Sequence, residues 1–120
     1  MFNNLLLIGI GGFVGAISRY TLINDLKKRI RSTIPIPTMI VNISGSFFLG
    51  ILVGWKVYSS IYFLLAVGFM GAYTTFSTLA VEAVTLFREK EKGSFLIYIL
   101  GTFIGGVIFC FMGWKIGLIL

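Results

Sequence analysis

The sequence predicts an all-α membrane protein with four transmembrane helices. Of its 120 residues, 58% are hydrophobic and only 12% are charged, and the mean hydropathy is +1.01. A soluble domain carries about 25% charged residues. Stretches without Asp, Glu, Lys or Arg occupy residues 1–18, 32–55, 57–81 and 93–114. A membrane-spanning helix needs roughly 20 apolar residues. The stretches lack the alternation of a membrane barrel, so helices are predicted.

These stretches place the four helices at about residues 4–23, 36–55, 61–87 and 94–118. The first is interpreted as a retained helix, because no basic residue precedes Arg19 and no small-x-small cleavage site follows the apolar run. Pro35 and Pro37 favour the start of the second helix. Four helices use up the chain, so we expect one transmembrane domain over residues 1–120.

Basic residues are concentrated on one side of the predicted membrane. The first loop with the adjoining helix end holds five, and the third loop holds three. The opposite side holds only Lys56 and Lys115. The positive-inside rule therefore predicts that loops one and three face the cytoplasm and that both termini face outside. We expect the protein to lie in a bacterial-type cell membrane. There the basic run 27–31 is expected to contact lipid headgroups, and nucleic acid is not expected as a partner.

Glycine is frequent, at 15 of 120 residues, and small residues let membrane helices approach closely. Such pairs occur in three of the predicted helices: Gly11 with Gly15, Ser46 with Gly50, and Gly101 with Gly105. Each pair is explained by ordinary helix packing. Four short helices enclose little volume, so close packing against a second subunit is also expected.

Thr38, Asn42 and Ser46 recur every four residues and share one face of the second helix. Polar groups within a membrane span are costly and therefore informative. Two interpretations remain open. The three side chains either hold the bundle together through interhelical hydrogen bonds or line a narrow polar path.

The third helix contains the most unusual segment, residues 68–78. Gly68 and Gly71 precede four hydroxyl side chains near the middle of the span, namely Thr74, Thr75, Ser77 and Thr78. This pattern favours a broken helix near the midplane over an ordinary kink. A break frees backbone groups, which survive in lipid only where they line a cavity or bind an ion.

Glu82 is the only carboxylate deep within an apolar run, and Tyr98 and Thr102 lie one turn apart in the fourth helix. No cation is embedded with them. Hydroxyls, an amide and the positive ring edge of Phe76 are the neutral donors that an anion path would need. Enzymatic chemistry is not supported, because the chain has no His, no carboxylate pair and no phosphate-binding loop.

At these residues the chain resembles the Fluc (CrcB) fluoride channels along its whole length. The similar segments are residues 11–20, 38–47 and 68–78, the last followed by Glu82. The resemblance implies an antiparallel dimer with two pores that let fluoride leave the cytoplasm passively. It also implies a central, non-transported sodium ion on the backbone carbonyls of Gly71 and Thr74 from each subunit.

Roles for pore residues follow from the same resemblance. Asn42 would supply a pore amide and Phe76 a pore aromatic ring. Arg19 would belong to an aqueous vestibule. The remaining pore-facing residues would be Thr38, Ser46, Thr78, Glu82, Tyr98 and Thr102.

Two positions depart from the family pattern. Leu79 stands where a second pore phenylalanine is usual, and Pro37 stands where glycine commonly precedes the threonine. Leucine offers no electropositive ring edge, and the charge bias is larger than dual-topology relatives tolerate. We therefore expect the chain to insert one way and to pair with a homologous subunit of opposite orientation.

Two other functions remain open at this point. A small multidrug or guanidinium exporter also has four short helices. Such an exporter requires a carboxylate in the first helix to bind a cation or protons, and none precedes Arg19 here. A non-conducting structural subunit is the second alternative, and Leu79 is consistent with it.

Overall fold

The computed structural model describes residues 2–57 and 60–120, and it is helical apart from short links within those ranges. We number its helices α1 (Phe2–Arg29), α2 (Ile36–Gly54), α3 (residues 60–73), α4 (Phe76–Arg88) and α5 (Lys92–Ile119). Within these ranges, four spans are long and apolar enough to cross a membrane, with α3 and α4 together forming the third. The predicted all-α membrane architecture is therefore confirmed.

Helix α1 continues beyond the predicted end near Ile23, to Arg29. Its last two turns are polar and lie outside the apolar run that guided the prediction. Asp25 and Arg29 form an ion pair of 3.2 Å at positions i and i+4. The basic residues of the last turn lie at the negative end of the helix dipole and interact favourably with it. Hydropathy marks the end of the membrane segment, whereas these local interactions extend the helix past it.

The first half of the third span is irregular. Helix α3 consists of an α-helical turn at Ser60–Tyr62, a π-helical stretch at Phe63–Met70 and another α-helical turn at Gly71–Tyr73. Thr74 and Thr75 then have extended backbones, with ψ of 156° and 119°. Helix α4 begins at the next residue. The third span is thus interrupted for two residues between Tyr73 and Phe76.

Helices α1 and α3 pack together through glycine. A Cβ atom at Gly11 would collide with the carbonyl oxygen of Leu64, and one at Gly15 would collide with that of Phe69. Contacts advance together along both helices, so the helices are parallel. The predicted role of Gly11 and Gly15 in close packing is confirmed.

A second parallel pair, α2 with α5, also packs through glycines. Gly50 and Gly54 approach the carbonyls of Cys110 and Trp114, and no Cβ fits at either position. Two glycines of α5 reciprocate against α2, and these are Gly113 and Gly117. Gly101 and Gly105, which the sequence singled out, instead meet the side chains of Met39 and Ile43.

Among the described residues, two small clusters form the buried core. One joins α1, α2 and α3 and contains Ile23, Val41, Met70 and Tyr73. The other joins α4 to α5 and contains Leu79, Ala83, Leu86 and Tyr98. Ile34, in the link after α1, packs against the second cluster. This contact brings the links at residues 30–35 and 89–91, with the basic residues in and beside them, to one end of the molecule.

Candidate functional site: a polar groove beside the interrupted helix

An open groove of about 740 Å³ lies between α2, the interrupted span and α5. Its walls are mainly apolar, and none of the described residues that line it is Lys or Arg. Hydroxyl and amide groups are concentrated where the third span is interrupted: Asn42, Ser46, Thr74, Thr75 and Thr102. The groove therefore presents neutral hydrogen-bonding groups within an apolar wall.

Asn42 is joined to the interruption by a reciprocal pair of hydrogen bonds. Its Nδ2 donates to the backbone carbonyl of Thr75 at 2.9 Å, and its Oδ1 accepts from the Thr75 N–H at 2.8 Å. The Thr75 hydroxyl in turn accepts from the N–H of Thr78 at 3.2 Å and caps α4. Helix α2 thus fixes the point at which the third span restarts.

The interruption also changes the partners of two carbonyl groups. In an unbroken helix, the carbonyls of Gly71 and Thr74 would accept from the N–H groups of Thr75 and Thr78. Those N–H groups instead donate to Asn42 Oδ1 and to the Thr75 hydroxyl. Gly71 is exposed and Thr74 is half-buried. Both carbonyls are therefore released from the N–H groups that would pair with them in an unbroken helix.

Thr38, Glu82 and Tyr98 form a separate hydrogen-bonded cluster. The Thr38 hydroxyl donates to Glu82 Oε1 at 2.6 Å, and the Tyr98 hydroxyl donates to the same oxygen at 3.2 Å. Thr38 and Tyr98 are completely buried. The cluster ties α2, α4 and α5 together, and none of its members is among the residues that line the groove.

Thr102 lies one helical turn beyond Tyr98 and lines the groove. It is 7% exposed, and its hydroxyl finds no hydrogen-bond partner among residues 2–57 and 60–120. An unpartnered buried hydroxyl is unfavourable by about 1–3 kcal/mol. Thr102 is therefore a lining residue whose hydroxyl has no partner within the described part of the chain.

Phe76 and Leu79 occupy adjacent turns of α4 and both line the groove, but in different ways. The ring of Phe76 is 74% exposed, whereas Leu79 is 4% exposed and belongs to the core cluster around Tyr98. Leu79 therefore forms part of the groove wall, and Phe76 projects from it.

The structure gathers five of the site residues singled out from the sequence at the groove: Asn42, Ser46, Thr74, Phe76 and Thr102. Three more form the adjoining cluster of Thr38, Glu82 and Tyr98. Ser46 donates to the carbonyl of Asn42 within its own helix at 2.9 Å. The described lining does not include Gly71, Thr78 or Arg19, and Arg19 lies on α1.

Two positioning residues escaped the sequence interpretation. A Cβ at Gly45 would collide with the Thr74 methyl group, and the Ser44 hydroxyl lies 3.1 Å from that of Tyr73. Both follow Asn42 on α2 and hold residues 73 and 74. The available signal was the run from Asn42 to Ser46, in which polar and small residues are adjacent.

The fold and the groove define a four-span helical membrane protein with a site of neutral donors beside an interrupted helix, where the described lining residues include no Lys or Arg. Residues 6–114 match the family model described as CrcB-like protein, Camphor Resistance (CrcB). The chain belongs to this family.

Curated relatives cover almost the whole chain. The protein named fluoride-specific ion channel FluC 2 from Bacillus thuringiensis subsp. konkukian is 46% identical over 93% of this chain and 95% of its own length. A protein of the same name from Lactobacillus acidophilus is 38% identical over 97% of this chain and 98% of its own. Fluoride-specific ion channel FluC 1 from Carboxydothermus hydrogenoformans is 44% identical over 88% and 86%.

Proposed function

We propose that the chain is a subunit of a fluoride-specific channel that lets cytoplasmic fluoride leave the cell passively. The observation that carries the proposal is the groove, which combines neutral donors with an absence of Lys and Arg among its described lining residues. Relatives named as fluoride-specific channels, matched almost end to end, support the choice of anion.

The chemistry of the groove suits rapid passage of a small anion. A fixed cation would bind fluoride tightly and slow its release, whereas hydroxyls, amides and ring edges stabilise it more weakly. The unpartnered hydroxyl of Thr102 and the exposed ring of Phe76 supply such groups from α5 and α4. Fluoride would exchange its water ligands for these donors in turn.

Export needs no coupled energy source. Hydrogen fluoride crosses the membrane as a neutral weak acid and dissociates in a more alkaline cytoplasm. An inside-negative potential then favours exit of the trapped anion by about 2.3 kcal/mol per charge per 100 mV.

The open side of the groove supports assembly with a second subunit. Lipid cannot satisfy freed backbone groups, yet Gly71 and Phe76 at the interruption are exposed in the single chain. A partner in antiparallel orientation would cover this side and form two pores. The strong charge bias and Leu79 favour a homologous partner over a second copy, with loops one and three of this chain in the cytoplasm and its termini outside.

The two carbonyls released by the interruption support a bound, non-transported sodium ion. Gly71 and Thr74 would provide two oxygen ligands from each subunit, and hard cations prefer oxygen. Residues 2–57 and 60–120 contain no group of three His, Cys, Asp or Glu side chains placed to hold a metal. The backbone carbonyls of Gly71 and Thr74 are therefore the ligands proposed for sodium. The positive charge of the ion would stabilise these carbonyl oxygens and so the interrupted conformation.

A non-conducting role in a larger assembly is the second candidate, favoured by the leucine at position 79. An exporter of guanidinium or drug cations is disfavoured because α1 has no carboxylate before Arg19. The two remaining functions make different predictions when a partner is present. A channel subunit should then conduct fluoride, whereas a non-conducting subunit should not.

Fluoride efflux from proteoliposomes tests the proposal. We expect rapid efflux when the chain is reconstituted with a homologous subunit, and little when it is alone. Chloride efflux from the same vesicles is the control for selectivity and should remain at background. Absence of fluoride flux in every pairing would favour the non-conducting role, whereas robust flux from the chain alone would refute obligate pairing.

A further inference from the structure

Asn42 makes more contacts with the backbone of the third span than a pore ligand needs. Both functional ends of its amide are engaged by Thr75, at 2.9 Å through Nδ2 and 2.8 Å through Oδ1. Thr75 is 6% exposed and has an extended backbone with φ of −145°. Its N–H would otherwise lack a partner, because the helix that would have supplied one ends at Tyr73.

We infer that Asn42 is a positioning residue, whose side chain replaces the missing helical hydrogen bonds and fixes the interruption in the third span. An asparagine amide has one oxygen and two N–H donors. Thr75 occupies the oxygen and one donor, so a single N–H remains for the groove. The main role of Asn42 is therefore to hold the backbone of Thr75 rather than to bind the permeating anion.

Adjacent residues of α2 support this role. Gly45 leaves room for the methyl group of Thr74, and Ser44 lies within hydrogen-bonding distance of the Tyr73 hydroxyl. Tyr73 and the two residues of the interruption are thus contacted by residues 42–45. This surface of α2 is shaped to receive an extended backbone segment.

The positioning role has a consequence for the freed carbonyls. Because Asn42 Oδ1 accepts from the Thr75 N–H, that N–H cannot return to the carbonyl of Gly71. Loss of the amide would let the helix close over this carbonyl or leave Thr75 unsatisfied. Asn42 therefore controls whether the carbonyl of Gly71 is available, from a position on a different helix.

Amide hydrogen exchange of the full-length protein in micelles, resolved by NMR, tests the inference. Asn42→Leu removes both hydrogen bonds at similar volume, and we expect the Thr75 amide to exchange roughly tenfold faster or more. Ser46→Ala is the matched control, because Ser46 lies one turn away, lines the same groove and bonds only to its own helix. That variant should leave the exchange of Thr75 unchanged.

A second measurement on the unmodified protein avoids the risk that Asn42→Leu fails to fold. The side-chain amide resonances of Asn42 are followed while sodium fluoride is added, with sodium chloride as the control. Positioning predicts slowly exchanging resonances that move little with fluoride. A large fluoride-specific shift would overturn the inference, as would an Asn42→Leu protein whose Thr75 exchange stays within about twofold of the original.

The positioning role of Asn42 goes beyond the proposed function. It rests on that function only where fluoride flux is used to test the Asn42→Leu variant. If Asn42→Leu loses flux while Thr75 stays protected, Asn42 is a ligand and the inference fails. If the unmodified protein conducts no fluoride, the proposed function fails, and the exchange measurement still decides the role of Asn42.

Discussion

Two buried threonines show how differently the same side chain is used in this protein. The hydroxyl of Thr38 donates to Glu82 at 2.6 Å, whereas that of Thr102 finds no partner within the described part of the chain. A buried hydrogen bond to a carboxylate is worth about 1.5–3 kcal/mol, and removal of an unpartnered hydroxyl costs little. We therefore expect substitution of Thr38 to lower mainly stability and substitution of Thr102 to lower mainly fluoride efflux.

Substitution by valine tests this difference at nearly constant volume. Thr38→Val should lower the free energy of unfolding by about 1–3 kcal/mol, because Glu82 loses a donor. Thr102→Val should not lower it and should raise it by up to about 1–3 kcal/mol, because an unpartnered buried hydroxyl is removed. The same substitution should reduce fluoride efflux about tenfold, since a donor to the anion is lost.

Unfolding in detergent and efflux from proteoliposomes provide the two measurements. Thr85→Val is the control, because that exposed hydroxyl bonds only to its own helix at 2.8 Å. Normal efflux in Thr102→Val would contradict a ligand role for its hydroxyl. A Thr38→Val protein as stable as the original would show that the bond to Glu82 contributes nothing.

At the scale of elements, glycine determines which helices pair. Both close pairs, α1 with α3 and α2 with α5, place glycine Cα atoms directly against carbonyl oxygens of the partner helix. Membrane helices gain no hydrophobic driving force from burial, so close van der Waals contact carries their association. The two parallel pairs form the scaffold, and the interrupted segment is held against α2 by Asn42.

Gly113→Ala tests the packing of α2 against α5. A Cβ at this position would collide with the Phe47 carbonyl, and overpacking typically costs about 1–3 kcal/mol. Gly9→Ala is the matched control, because nothing lies within 4 Å of a Cβ there. It should leave stability unchanged or raise it by about 0.5–1 kcal/mol.

Thermal unfolding of both variants under identical detergent conditions measures the difference. Equal melting temperatures would mean that the helices separate without cost and that the close approach at Gly113 is not required.

For the whole molecule, the charge distribution predicts a fixed orientation. Eight of ten basic residues lie at the end that carries loops one and three, and the contact of Ile34 with the α4–α5 cluster brings those loops together. Such a bias favours retention of this end in the cytoplasm. One orientation is what a subunit that pairs with an oppositely inserted homologue requires.

Labelling of single cysteines with a membrane-impermeant thiol reagent in intact cells tests the orientation. In a Cys110→Ala background, Lys115→Cys should react from outside, and Lys90→Cys should react only after the cells are opened. Comparable labelling of both sites in intact cells would demonstrate dual insertion and remove the argument for a fixed orientation.

Much of the fold was predictable because membrane insertion depends on composition. Four uncharged stretches predicted four spans, and Gly11 with Gly15 predicted a close helix contact, which the structure places between α1 and α3. Gly50 was among the predicted packing residues and does pack closely, but its partner helix α5 was not predicted, nor were the contacts of Gly54, Gly113 and Gly117. Small residues occur on several faces of these helices, and only assembly determines which face meets a partner.

The sequence by itself determined the spans, the charge bias and the residue types of the candidate site, because hydropathy and side-chain chemistry are local properties. The tertiary structure decided how the polar residues are divided. It places Thr38, Glu82 and Tyr98 in a closed cluster, leaves the Thr102 hydroxyl without a partner in the described part of the chain, and joins Asn42 to Thr75. These partners lie on different helices, and a hydrogen bond forms only where packing brings donor and acceptor within about 3 Å.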